Sequence, residues 1–250
     1  MGKLVLLDAR LFVGAADLSG QSNKIELSSE IEEKDVTNWK SGGAKELLGG
    51  IESVGIAAGG QWEAGDPGKI DDQQWASRRV LDAWTMGATS AVDTGVGALA
   101  YLTKALRTSI TLLGAVGDVA PWEASAVGSW PLVRSEFAHP SGVARTTTGT
   151  GTALQVGEVG AGQRMYASLH VLSVAGTSAP TITVTVASDE VEAFNVDPQT
   201  RLSFAPATAA GGQILRTDGT AIADDDWWRV GWTISGTDPS FLFVVALGIE

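Results

Sequence analysis

Residues 23–37 read N-K-I-E-L-S-S-E-I-E-E-K-D-V-T, one sustained alternation of apolar and hydrophilic side chains. Side chains on a strand point alternately to its two faces. Ile25, Leu27 and Ile31 therefore share one face, and Lys24, Glu26, Ser28, Glu30, Glu32 and Lys34 share the other. At about 3.3 Å per residue this strand spans about 45 Å, where ordinary strands have about five or six residues. A small domain rarely needs such a strand. An assembly with a tall wall, dry on one side and acidic on the other, does.

A second strand is expected from Ile51, with Glu52, Val54, Ile56 and Ala58 on one parity and Ser53, Gly55, Ala57, Gly59 and Gln61 on the other. Paired antiparallel with the first, it makes a long hairpin with unlike faces. The connection, residues 38–50, is longer than hairpins prefer. Its Gly- and Lys-containing sequence, with Trp39, Lys40, Ser41, Lys45, Glu46 and Leu47, suggests a tip built to touch something.

After Asp66-Pro67-Gly68 the period changes. Asp71 as a cap, Gln74 at the capping-box position and a stripe of Ala76, Val80, Leu81 and Trp84 predict a helix over 71–84. Strands are then expected near 89–94, 99–106 and 109–115, and within 122–137 after a turn at 117–121. Residues 141–152, S-G-V-A-R-T-T-T-G-T-G-T, suggest a flexible connection. Beyond them, β signals recur at 163–174, 181–186, 201–204, 227–235 and 241–249. In the segment 227–235, Trp228, Val230, Trp232 and Ile234 form the core face; in 241–249 both faces are apolar and need cover. Thirty-one glycines and prominent Thr, Val and Trp agree with a mainly β fold. The expected organisation is one β-rich unit over 1–250, with a possible internal boundary near 141–152.

Chemistry is scarce. The absence of cysteine excludes disulfides and thiolate metal sites, and no nucleophile elbow, zinc-binding helix, P-loop or dinucleotide fingerprint is present. His139, before Pro140, reads as a surface turn residue, and His170, between Leu169 and Val171, as a core or interface histidine. Asp224-Asp225-Asp226 reads as a solvated turn ahead of a strand rather than a cation site. The Gly/Thr run 146–152 lacks a following helix and so lacks the phosphate-cradle context. Trp227 and Trp228, being adjacent on a strand, cannot form one stacking platform. Neither catalysis nor a cofactor or metal is expected. A net charge of −12 argues against adsorption to nucleic acid, which requires Lys and Arg at phosphates. The N-terminal apolar run is too short for a signal peptide or membrane span, so a soluble, cytoplasmically made chain without a membrane partner is expected.

Three readings compete for Glu26, Glu30 and Glu32. They could be a solvated sheet face, or a carboxylate pair about 7 Å apart as in glycoside hydrolysis, although Lys24 and Lys34 flank them. They could also line a tube whose negative wall repels a passing polyanion.

The order of parts resembles the major tail tube proteins of bacteriophages with long, non-contractile tails. The resemblance is carried by E-I-E-E-K-D-V-T-N-W-K-S-G-G (30–43), L-G-G-I-E-S-V-G-I-A-A-G-G-Q-W-E (48–63) and V-G-D-V-A-P-W-E-A-S-A-V-G (116–128). In the second half it continues in A-G-Q-R-M-Y-A-S-L-H-V (161–171), D-W-W-R-V-G-W-T-I-S-G (226–236) and F-V-V-A-L-G-I (243–249). It implies a β-sandwich subunit with a long inner hairpin and one flanking helix, forming hexameric rings stacked into a virion tail tube assembled in the host cytoplasm. DNA would pass without specific binding; tail terminator, tail-tip and tape-measure proteins would be partners. Lys24, Glu26, Ser28, Glu30, Glu32, Lys34, Ser53, Gly55 and Ala57 would face the lumen, and Trp39, Lys40, Ser41, Lys45, Glu46 and Leu47 would reach the adjacent ring. A capsid decoration or head–tail joining protein and a carbohydrate-binding β-sandwich remain alternatives. Whether the part after about Thr152 completes the same sandwich or forms an outer module stays open.

Overall fold

The computed structural model describes residues 8–64, 70–89 and 95–250. Its N-terminal half contains β1 (Asp8–Val13), β2 (Ala16–Asp17), β3 (Ser22–Asp35), β4 (Leu47–Gln61), α1 (Ile70–Ala76), β5 (Leu81–Thr89), β6 (Leu99–Leu112), β7 (Pro121–Gly128) and β8 (Val133–His139). The extreme N-terminal run, the turn at 66–68 and most of the strand expected over 89–94 lie outside the described residues. All pairings are antiparallel. β3 pairs with β4, β4 with β7, and β7 with the second half of β6; the first half of β6 lies between β5 and β8, and β5 continues to β1.

The sequence breaks between 106 and 109 because β6 is one strand with a register shift between Arg107 and Ser109. That irregularity lets a single strand serve two parts of the sheet as it curls.

The middle strands are apolar on both faces, and each face has its own partner. Leu11, Val13, Trp84, Met86 and Ala105 meet Ile56, Ala58, Trp122, Ala124 and Ala126 of the β4–β7 wall. From the opposite face, Phe12, Ala83, Leu102 and Phe137 meet Tyr166, Ile214, Val244 and Ala246 from the second half of the chain.

The predicted helix over 71–84 is corrected to the two turns of α1. The chain reverses at Arg79, whose φ is 64°, and Trp84 lies within β5. Ala76, Val80 and Trp84 fall four apart by coincidence, because residues 83–86 form a strand covered on both faces, whose apolar run imitates a helical stripe. Asp71 is inside the helix rather than capping it, and its carboxylate accepts the Trp62 indole N–H at 3.3 Å.

The second half contains β9 (Gly149–Thr150), β10 (Leu154–Gln155), β11 (Met165–Asp189), β12 (Gln199–Ser203), β13 (Gly211–Arg216) and β14 (Trp227–Ile249). β11 and β14 pair from Met165–Ile249 to Asp189–Trp227, with register shifts between Val171 and Thr181. Here the ribbon turns a corner. Gly176 and Gly236 take φ of 132° and 112°, and a Cβ at Gly236 would stand 2.8 Å from the Pro180 Cα.

Beyond the corner the ribbon doubles over its own first half. Trp232 lies edge-on to Phe243, with ring centroids 5.7 Å apart, and one core draws on Leu169, Val171, Val245 and Leu247 as well as Val184, Val186, Trp228 and Val230. β13 and β8 flank one half; β12, β9 and β10 flank the other. The expected strands at 163–174 and 181–186 are thus two arms of β11, and those at 227–235 and 241–249 two arms of β14. Both apolar faces of 241–249 are covered from within the chain: Phe241, Phe243, Val245 and Leu247 on one side, Val244 and Ala246 on the other.

Candidate assembly surface

The β3–β4 hairpin has a packed base and a bare arm. At the base, Val54, Ile56 and Ala58 are buried, and Ile25 and Leu27 pack beside them. Further out the pairing continues through Asp35–Leu47, but no layer covers it. Ile31 is 64% exposed, Ile51 79% and Leu48 61%, and Trp39 at the tip is fully exposed.

The arm's faces are set by one irregularity. Ile31 pairs with Glu52 and Glu33 with Gly49, so Gly50 and Ile51 together oppose Glu32 in a bulge. Past it the β4 parity inverts: Leu47 joins the face of Ile31 while Leu48 joins the acidic face. Alternation alone starts β4 at Ile51 and leaves Leu47 in the tip loop; the strand instead begins at Leu47, and simple alternation carries no sign of the bulge.

Lys24, Glu26, Ser28, Glu30, Glu32 and Lys34 are all exposed and share one face with Ser53, Gly55 and Ala57. Lys24 pairs with Glu26 at 3.4 Å and Lys34 with Glu32; among the described residues Glu30 has no ion-pair partner. Near the base, Glu26, Ser28, Gly55 and Ala57 border an open hollow of about 570 Å³ with Ser125 and Val127. The tip is an ordered turn. The Lys40 N–H donates to the Asn38 side chain, the Asn38 N–H to the Ser41 hydroxyl, and the Glu46 N–H to the Thr37 hydroxyl. This holds Trp39, Lys40 and Lys45 out in solvent. The Thr37 hydroxyl and N–H also hold the Asp35 carboxyl below its usual range.

The candidate catalytic and metal residues are structural. His139, expected at the surface, is buried. It stacks on Phe243 at 4.0 Å, its Nδ1 lies 3.0 Å from the Phe243 carbonyl, and the Arg145 Nε–H donates to its Nε2. Pro140 marks the end of β8 rather than a turn containing His139, and it could not show that the preceding side chain points inward. His170 is buried as expected, between the Gly14 carbonyl (2.9 Å) and the Thr85 hydroxyl (2.8 Å), which also meets Ser168. Burial pushes both histidines down to about 4. Asp225 is not part of a solvated turn. Its carboxylate is buried and accepts the Ser188 hydroxyl and the Arg201 guanidinium, the latter at 2.8 Å. Trp228 faces the core, and Gly149 and Thr150 pair with β14. Among the described residues no group of three His, Cys, Asp or Glu could hold a metal ion, and no helix is long and apolar enough to cross a membrane.

No protein-family model matches the chain, and no curated protein matches it. Solved structures with similarity include a chain from the virion of a native gene transfer agent particle, at 18% identity over 53% of this chain and 98% of that one, TM-score 0.43. A chain of the sheath–tube complex of an extracellular contractile injection system in its extended state is 16% identical over 54% and 92%, TM-score 0.40. The SPP1 Dit protein, described as a paradigm of the hub adsorption apparatus in phages infecting Gram-positive bacteria, is 10% identical over 97% and 99%, TM-score 0.32. At scores below 0.5 these likenesses assign no activity to the chain.

Proposed function

We propose that this protein is a structural subunit of a phage-type tail tube of the long, non-contractile kind, forming hexameric rings that stack into a hollow conduit for DNA. The observation that carries the reading is the uncovered arm. Ile31 and Leu47 stand exposed on the non-acidic face of a two-stranded ribbon without a core of its own. An isolated ribbon of this kind is marginal in water, and full cover would contribute about 1.5–3 kcal/mol per large apolar side chain. Copies of the same chain provide that cover in a tube. The face with Glu26, Glu30 and Glu32 then lines the lumen, where its residual negative charge, centred on Glu30, repels phosphate and limits adsorption. Trp39, Lys40, Ser41, Lys45, Glu46 and Leu47 reach the next ring; terminator, tail-tip and tape-measure proteins complete the tail. The role is geometric and involves no catalysis.

Negative-stain electron microscopy of the purified full chain at high concentration tests the proposal. Hollow tubes or stacked rings are expected. Deleting residues 41–47 is expected to leave rings or monomers without tubes, since the tip is then too short to bridge rings. Uniform small particles from the intact chain at every concentration would count against the tube, and full-length tubes from the deletion variant would remove the tip from the inter-ring contact.

A further inference from the structure

The β3–β4–β7–β6 sheet carries unlike charge at its two edges. Beside the second half of β6, Arg78, Arg79 and Arg107 border a hollow of about 180 Å³ with Thr108, Ser109 and Ile110. This is a concentrated positive patch on a chain of net charge −12. Arg107 is buried and donates from Nη1 to the Ser77 hydroxyl at 2.7 Å; burial lowers its pKa to about 10, with the Asp82 charge opposing. Arg78 lies 3.6 Å over the Trp75 ring. Arg78 and Arg79 are exposed, and neither has a carboxylate at ion-pair distance among the described residues.

At the other edge, most carboxylates on the paired strands of the arm are occupied: Glu26 by Lys24, Glu32 by Lys34, Glu52 by the Ser29 hydroxyl and Asp35 by Thr37. Among the described residues, Glu30 and Glu33 remain without such a partner. Across the sheet, Leu27, Ile56, Ala126 and Arg107 are aligned in register, so Arg107 leaves on the side of Leu27. Glu33 is on that side, together with Ile31; Glu30 is on the opposite one. Charge and facing therefore select the same residue.

We propose that Glu33 of one copy seats in the Arg78–Arg79–Arg107 hollow of the next, with Ile31 packed beside it. This rests on the reading of the chain as a self-assembling subunit. Two unlike patches at opposite edges make a head-to-tail contact, which closes into a ring or continues as a filament. Guanidinium groups suit the task because they can meet a carboxylate through two parallel N–H donors.

The natural chain has no cysteine, so the contact can be read covalently. Glu33→Cys and Arg79→Cys chains, mixed and oxidised, are expected to yield a disulfide between positions 33 and 79 in excess of either symmetric product, mapped by mass spectrometry. Reversing Arg78 and Arg79 to Glu is expected to raise the half-assembly concentration by about tenfold, and adding Glu33→Arg to restore it. If wild-type rings or tubes form without the 33–79 link, the contact is overturned and the tube stands. A 33–79 link without rings or tubes supports the contact and overturns the tube. Neither link nor assembly overturns both.

Discussion

Lowering the pH from 7 to 4 is expected to remove about 6 kcal/mol of folding stability, about 3 from each histidine. His139 and His170 have folded-state pKa values near 4, against 6.5 when free, and burial is the leading cause for both. A base with a depressed folded pKa is protonated first in the unfolded chain. Its stabilisation is therefore complete above about pH 6.5 and is lost as pH falls toward 4. Hydrogen bonding agrees with the neutral form: the Nε2 of His139 accepts from Arg145, which an imidazolium cannot do. Asp82, raised by burial, works in the opposite sense, since its desolvation is relieved as it protonates. Urea unfolding at pH 7, 6, 5 and 4 measures the slope, and His139→Gln with His170→Gln should flatten it. An unchanged urea midpoint between pH 7 and pH 4 would contradict the neutral, buried assignment.

The second large effect is expected at Trp228. This side chain is fully buried, and its indole N–H donates to the Gly157 carbonyl at 2.8 Å. Trp228→Ala should cost about 3–5 kcal/mol, combining lost burial with a cavity, and Trp228→Phe less. Ile31→Ala on the uncovered arm should alter monomer stability by no more than about 0.5 kcal/mol, despite removing a comparably apolar group. Thermal or urea unfolding of the three variants separates core from arm. A loss below about 1 kcal/mol for Trp228→Ala would mean that the doubled ribbon does not organise the second half.

The hairpin was legible because long period-two alternation has no other stable explanation: β3 occupies Ser22–Asp35, close to the expected 23–37. The alternation at 228–234 likewise identified a true core face. What sequence could not reveal were features determined by distant partners. The bulge opposite Glu32 depends on pairing across a loop, and the corner in β11 on its fit against β14. β5 was missed because a strand buried on both faces has no period of its own. His139 and Asp225 were misplaced for a related reason. Local polarity suggests solvent, and only the fold supplies Phe243, Arg145, Ser188 and Arg201 as partners.

The doubled ribbon also dictates an order of events during synthesis. The arm closes locally, since Asp35 meets Leu47, but Met165 must wait for Ile249. Translation at about 5–20 residues per second leaves the β14-facing edge of β11 unpaired for seconds after it emerges, although β12 and β13 can pair with its other edge sooner. Contacts so distant in sequence also form slowly. Through that interval a 25-residue strand with apolar stretches presents open backbone to other nascent chains. Yield in the host will therefore depend on chaperone capacity and temperature more than on the stability of the finished subunit.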